Sequence, residues 1–441
     1  MSDEPALSGW GRTFRPGTEQ RSEDLSRITR RAELTRGLGR SYGDASLPVE
    51  ADSRLAGSAL ADRVLAFDPE TGLLRAEAGL SLAEIIRIFL PRGFFMPVTP
   101  GTKHVTLGGA VASDVHGKNH HVAGTLGRFV RSLLLHLADE RVVRCSPLEE
   151  PELFFATLGG MGLTGHILEV ELELERVPSP YIYQESFRFT QLAEFLGALK
   201  SAGKTWPFTV GWIDTVARGS ALGRGILYCG RWATASEAPA RPPRAPTVLP
   251  MPFALPSGLL NRFTIGAFNE LIYRAHYKLH KQLVVDANSF FYPLDKVARW
   301  NLAYGSRGVT QHQSVIPEEA GAEGIRSLIE VLSQTGACSF LTVIKDCGAE
   351  GQGTLSFPKP GMSMALDIPI DHRTQQVIDM LNERVIACGG RVYLAKDGFT
   401  RPEHFRAMEP RLETFLANKR KWDPEGKLRS AQSVRLFGDK P

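Results

Sequence analysis

Cysteine is sparse in this chain. Five residues, at 145, 229, 338, 347 and 388, fall in no C-x-x-C pair, so neither a zinc site nor a disulfide framework is implied and a reducing compartment is expected. Long hydrophobic runs are missing too: none approaches the ~18–20 residues of a spanning helix, and Met1-Ser2-Asp3-Glu4 opens without the apolar core of a secretory signal. The expectation is a cytoplasmic protein, at most peripheral at the inner membrane. An excess of one charge is lacking as well. A formal net charge of +4 over 441 residues, with the basic residues not gathered into one block, gives no support to nucleic-acid binding and suits a mildly basic pocket for an anionic ligand. No low-complexity tract or internal repeat is visible. No G-x-S-x-G elbow, Walker loop or catalytic-cysteine context occurs, so hydrolysis and phosphoryl transfer lose support.

What the chain has is glycine in clusters. From Pro100 to His121, Gly101, Gly108, Gly109 and Gly117 can bring backbone N–H groups close to an anion, while Thr102, Thr106 and Ser113 add hydroxyl donors. Taken alone, this stretch fits a phosphate cradle or an ordinary loop under a sheet about equally. A second cluster spans Thr35 to Asp44 and a third spans Leu158 to Ile167. Three separated clusters point to a long ligand lying across several loops, and a dinucleotide has that length. A Rossmann fold does not fit. The Gly37 to Gly43 spacing is one residue too long, and Gly160-Met161-Gly162-Leu163-Thr164-Gly165 follows an expected helix and precedes an expected strand, the reverse of the motif's order.

The expected elements follow from periodicity and caps. Ser22-Glu23-Asp24 caps a short helix from Leu25, and Arg63–Asp68 with Leu73–Ala78 form a hairpin across Pro69–Gly72. Ser81 and Glu84 make a capping box for a helix over Leu82–Leu90. Ser132–Leu137 and Arg141–Cys145 form a second hairpin, Glu152–Thr157 a helix and His166–Arg176 a strand. These place a compact domain over residues 1–177, to which 397–441 returns. A second domain over 178–396 holds strands at Thr209–Asp214 and Gly225–Trp232. It also carries a proline-rich segment, 237–256, too rich in proline for regular structure and read as a mobile surface excursion. Leu259, Leu260, Phe263, Ile265, Phe268, Leu271 and Ile272 follow; the favoured reading is the buried face of a helix, the alternative an apolar lid toward a lipid-linked substrate or membrane. Gln311–Ile316, Gly324–Leu332, Ser339–Lys345, Met362–Ile368, Gln375–Cys388 and Arg391–Lys396 then read β-α-β-β-α-β, a ferredoxin-like unit able to cover a cofactor's face. In the tail, Pro402 opens a helix that Pro410 interrupts and Arg411–Ala417 can resume, and Lys419–Pro424 reads as a basic turn returning to the ligand. The fold class is α+β, with two domains and an antiparallel sheet in the second.

Three groups could carry chemistry. His116, His120 and His121 invite a metal reading, but the intervening glycine and the absence of a carboxylate pair speak against it, and a histidine near phosphate or a flat ring fits better. Lys396, at an expected strand end among apolar neighbours, could be desolvated toward neutrality and take a proton from a hydroxyl; the structural alternative is a lysine paired with Asp397. Lys118, Lys345, Gln311 and Gln313 are further polar residues on elements facing the cleft.

Assembled, these clusters resemble the vanillyl-alcohol oxidase or p-cresol methylhydroxylase (PCMH) type flavoproteins, in particular the branch acting on lipid-phosphate-linked pentoses. The resemblance runs through Gly9–Thr13, Arg36–Asp44, Pro100–Thr102, His116–His121, Gly162–Gly165, Trp300-Asn301, Ala303–Gly305, Leu355–Pro358 and Ala395–Asp397. It implies non-covalent FAD, since Tyr42 stands where some relatives carry an attaching histidine. The implied cofactor contacts are Arg36, Gly37, Leu38, Gly39, Arg40, Ser41, Tyr42, Gly43, Gly101, Thr106, Leu107, Gly108, Gly109, Ser113, Asp114, Val115, His116, Ile167 and Tyr393. It also implies oxidation of a secondary hydroxyl of a polyprenyl-phosphate pentose, ribose 2′-OH to 2′-keto, as the first half of an epimerisation to arabinose. An NAD(P)H-dependent keto-sugar reductase would complete it. Lys396, His116 and Lys118 would be catalytic, with Lys396 handling the hydroxyl proton. Lys118, Trp212, Tyr304, Gln311, Gln313, Lys345, Ala365 and Lys396 would line the substrate side. Ala365 stands where cysteine is frequent in that branch, and Tyr292 where histidine is common. Two other readings stay open: an oxygen-using alditol or aldonolactone oxidase, and a flavin-binding scaffold without turnover.

Overall fold

The computed structural model describes residues 6–217, 219–244 and 247–440. Thr18–Arg21 (β1), Leu34–Arg36 (β2) and Arg54–Gly57 (β3) form a small parallel sheet in the order β1-β3-β2. Leu25–Thr29 (α1) lies between them, started by Asp24, whose carboxylate accepts from the Arg27 amide at 3.0 Å. Val64–Phe67 (β4) and Leu73–Glu77 (β5) are the expected hairpin. With Val130–His136 (β6), Val142–Cys145 (β7) and His166–Glu173 (β8) they build a second sheet, β7-β6-β8-β5-β4. The strand expected to run to Arg176 breaks at Leu174, whose amide donates to Gly72 O.

Leu82–Phe89 (α2) starts where Ser81 Oγ accepts from the Glu84 amide at 3.2 Å. It buries Leu82, Ile85, Ile86 and Phe89, one stripe at i, i+3, i+4 and i+7, each contributing roughly 1.5–3 kcal/mol by leaving water. Leu107–Ala112 (α3) and Pro151–Thr157 (α4) complete this half.

The larger sheet has eight strands, all paired antiparallel: Tyr181–Phe189 (β9), Phe208–Ile213 (β10), Gly225–Trp232 (β11), His280–Asp286 (β12), Val309–Pro317 (β13), Thr342–Cys347 (β14), Gly361–Pro369 (β15) and Arg391–Val392 (β16). Their order is β12-β9-β11-β10-β14-β15-β13-β16. Helices Leu192–Ala202 (α5), Arg262–Ala275 (α6), Gly321–Thr335 (α7) and Thr374–Ala387 (α8) connect them. The expected unit is present as β13-α7-β14-β15-α8-β16. Its last strand is shorter than expected, because Lys396 N and Asp397 N turn back onto Tyr393 O (3.0 and 3.2 Å), so Lys396 lies in a turn and not on a strand.

The absence of repeats in the sequence is not matched by the topology. The strands β9, β10, β11 and β12, with α5 after the first, repeat the spatial order of the second unit, and the two units join edge to edge through Gly211 opposite Ile344 and Trp212 opposite Val343. The proline-rich segment carries only a two-residue strand, Leu249–Pro250, and its positions 245 and 246 lie outside the described residues.

Pro402–Met408 (α9) and Leu412–Trp422 (α10) follow the tail expectation, but the basic turn does not form. Lys419, Arg420 and Lys421 are the last turn of α10, where cations suit the helix dipole, and Lys419 is buried against Asp439 at 3.0 Å. The chain returns toward the first glycine cluster through Ala431–Phe437 (α11) instead. Arg435 there bonds Asp44 at 2.7 Å and Asp397 at 2.8 Å, and Gln432 donates to Leu394 O at 2.8 Å.

Candidate active site

Strand alternation puts Gln311 and Gln313 of β13, Ser363, Ala365 and Asp367 of β15, Val343 and Lys345 of β14 and Trp212 of β10 on one face of the large sheet, through the pairs Gln311–Asp367, Gln313–Ala365 and Lys345–Ser363. The opposite face meets the helices: His312 bonds Asn382 of α8 at 3.1 Å, and Leu366, Met364 and Ile344 pack with Ile325, Leu328 and Val377. The glycine-rich stretches close over the first face. Tyr393 donates to Ser113 O at 2.9 Å, Thr209 N to Lys118 O at 2.9 Å, and Tyr42 N to Ala395 O at 3.0 Å. Gly9-Trp10-Gly11 clamps the first glycine loop: Trp10 N and Gly11 N donate to Ser41 O and Tyr42 O, and Gly11 O accepts from Val309 N. A Cβ on Gly11 would stand 2.2 Å from Val309 O, so only glycine permits that approach.

One group of side chains gathers around Asp367. Gln311 Nε2 and Tyr304 OH donate to the two oxygens of Asp367, the latter at 3.0 Å, and Gln311 also reaches Tyr42 OH at 3.4 Å. Lys396 Nζ lies over the Tyr42 ring, 4.2 Å from its centroid. Burial pushes Lys396 down from 10.5 to about 8, with Asp367 holding it up and Lys345 lowering it further. Burial raises Asp367 to about 6 against the pull of Gln311 and Lys396. Burial, aided by the Asp367 charge, keeps the phenols of Tyr42 and Tyr304 protonated.

A second group surrounds His116. Gln313 Nε2 donates to its Nε2 at 2.9 Å, which leaves the ring proton on Nδ1, a buried atom without a partner among the described residues. Burial, then Lys345, keeps this imidazole neutral. His120 instead accepts from Gly348 N at 3.1 Å and His121 faces Trp206 O at 2.8 Å, so the three histidines have separate partners. Lys118 Nζ donates to the carbonyls of Phe290 and Phe291, and burial followed by Lys345 lowers it to about 7. Lys345 is lowered by burial too. These three lysines are enclosed by protein yet keep accessible surface, as groups on the wall of a cleft do.

The remaining anticipated residues divide by where their side chains point. Arg36 lies under the first glycine loop, bonded to Ser8 O at 2.7 Å and Glu19 at 3.3 Å, and Arg40 stacks over Trp10 at 4.3 Å. Leu107, Val115 and Ile167 point into the apolar core, and the Asp114 carboxylate is taken by Gly127 N and Ser356 OH, leaving their backbones to approach a ligand. Trp212 packs in a separate apolar cluster with Ile226 and with Tyr273 of α6. Asp367 and Arg435 were not anticipated; the one trace of Asp367 in the sequence is a lone acid inside the apolar run Met362–Ile368.

This cleft fits a bound dinucleotide. The amides of Leu38, Gly39, Arg40 and Ser41 have no acceptor among the described residues, Gly101 faces open space with no atom within 4 Å of a built Cβ, and His116 Nδ1 is an orphan donor. The three lysines give the wall a positive charge suited to phosphates. The α+β fold and this donor set define an FAD-dependent oxidoreductase of the PCMH type. A family model described as an FAD binding domain matches residues 12–146. The chain is 36% identical to decaprenylphosphoryl-beta-D-ribose oxidase of Mycolicibacterium smegmatis over 98% of its own length and 97% of the relative's, and 32% identical to an uncharacterized protein of Streptomyces coelicolor over 81% and 100%. Likeness to L-gulonolactone oxidase of Mus musculus, 32% identical, covers only 32% of the chain and 31% of that protein. The chain belongs to the family of FAD-linked oxidases represented by decaprenylphosphoryl-β-D-ribose oxidase.

Proposed function

We propose that the protein oxidises the 2′-hydroxyl of a polyprenyl-phosphate-linked ribose to the 2′-keto sugar, the first half of an epimerisation to arabinose that a separate NAD(P)H-dependent reductase completes. Residues 1–177 with the returning tail hold non-covalent FAD, and 178–396 cap it. The observation carrying this reading is the Lys396 amine, 4.2 Å from the centroid of the Tyr42 ring in the cluster built on Asp367, at the face of the large sheet that meets the glycine loops. Bound FAD supplies an acceptor for two electrons. The residues do the rest: neutral Lys396 accepts the hydroxyl proton at Nζ, and Asp367, fixed by Gln311 and Tyr304, sets how readily it does so. His116 offers its Nδ1 proton to the flavin or sugar, while Gln313 holds the ring. Lys118 and Lys345 supply positive charge for a substrate phosphate; the carbonyl tether of Lys118 suits it to charge and position, not to carrying a proton. The partial coverage of the lactone oxidase relative favours this reading over an aldonolactone oxidase. Anaerobic bleaching of the flavin against polyprenyl-phosphoryl ribose, free polyols and aldonolactones tests it. Bleaching by the lipid-linked pentose is expected; bleaching by a free polyol or lactone alone would transfer the assignment, and bleaching by none would leave the scaffold reading.

A further inference from the structure

The helix α6 was expected to bury its apolar residues, and it does so only in part. Ile265, Asn269 and Tyr273 face inward, whereas Phe263 is 81% and Leu271 68% exposed. Tyr277 and Leu279, which follow α6 in the chain, are also exposed, as are Leu249 and Phe253 in the segment before it, by 62% and 65%. Isolated apolar residues on a surface need no explanation, but this many large ones within one stretch of chain do.

Charge singles out the same stretch. Among residues 241–281 six Lys and Arg stand against one acid, so this segment alone outweighs the net +4 of the whole chain. The acid, Glu270, is itself held by Arg224 at 2.6 Å and by Arg274. Arg262, Lys278 and Lys281 interleave with the exposed apolar side chains. The inner side of α6 connects this surface to the cleft. Phe268 lies 4.7 Å from Phe340, Phe340 lies 6.3 Å from Tyr304, and Tyr304 donates to Asp367.

We propose that the face formed by α6 and the chain that follows it through Lys281 rests on a bilayer surface bearing anionic lipid, which sets the cleft beside the membrane. Apolar side chains flanked by arginine and lysine, with no free acid among them, are complementary to that surface and mismatched to a basic partner. The proposal rests on the lipid-linked substrate assigned above, and its test separates the two. Full-length holoprotein is sedimented with vesicles of phosphatidylcholine alone and of phosphatidylcholine with phosphatidylglycerol. Binding to the anionic vesicles, weakened by salt, is expected, and Phe263→Asp/Leu271→Asp should lower it by at least about 10-fold. The same variant should bleach normally with a short-chain, water-soluble ribosyl phosphodiester and slowly with long-chain substrate embedded in vesicles. Equal partition of variant and wild type, binding indifferent to anionic lipid, or a wild-type dimer that the variant splits would each overturn the membrane proposal. Absence of bleaching by the soluble substrate would count against the functional reading, while vesicle binding would still stand on its own.

Discussion

The sharpest consequence of the proposed function concerns the proton that Lys396, as the proposed base, would take. At its ordinary value of 10.5 only about 0.03% of this amine would be neutral at pH 7; at about 8 the neutral share is roughly 9%, a gain of about 300-fold in the form able to act as a base. The rate of flavin bleaching at limiting substrate should therefore climb with pH and level off above an apparent value near 8. Two neighbours push this limb in opposite directions. Asp367 stabilises the ammonium, so Asp367→Asn should move the limb to lower pH, by about 1 pH unit for a close carboxylate. Lys345 destabilises it, so Lys345→Met should move the limb to higher pH. Lys396→Ala should abolish the limb and cost on the order of 10²-fold or more. The assay is stopped-flow bleaching over pH 5.5–10, an interval of roughly two units or more on either side of the expected midpoint. Shifts of the same sign in the two charge variants, or a limb near 8 surviving in Lys396→Ala, would refute the assignment of the base.

Three further outcomes follow from the geometry. Gly101→Val meets no protein atom near its Cβ, so the apoprotein should melt as the wild type does while the purified protein loses its yellow colour; a yellow variant would remove Gly101 from the cofactor wall. Arg435→Met strands Asp44 and Asp397, both buried, and should cost about 3–5 kcal/mol in denaturant unfolding; a cost under about 1 kcal/mol would show the tail is not anchored there. Ala365→Cys puts a thiol on the sheet face of the cleft, and mass spectrometry should find one more adduct than in the wild type after treatment with a thiol reagent; no added adduct would place residue 365 out of the cleft's reach.

Much of the first half was legible because its signals are local. The Ser81 cap, the Pro69–Gly72 turn and the helix-then-strand context of Gly160–Gly165 are each settled within a few residues. The unit β13 to β16 was legible for the same reason: its strands and helices follow one another with short connections. Its twin was not. The fourth strand, His280–Asp286, is a polar edge strand that comes after the proline-rich segment and α6, so neither alternation nor spacing announces a repeat. Lys419–Lys421 were misread as a turn because Asp423-Pro424 follows them, although cations closing a helix are electrostatically favoured. In the site, the polar residues of β13 and β14 were legible from their strands. Asp367 was not, since a single acid has no spacing, and its role depends on Gln311 from the neighbouring strand and Tyr304 from the preceding loop.

The central claim is that the C2′ carbinol of a lipid-linked ribose is the bond oxidised in this cleft. The direct measurement is anaerobic bleaching with ribosyl substrate carrying deuterium at C2′ and, separately, at C3′. Slower bleaching with the 2′ label and an unchanged rate with the 3′ label is the predicted result; slowing by the 3′ label alone would contradict it.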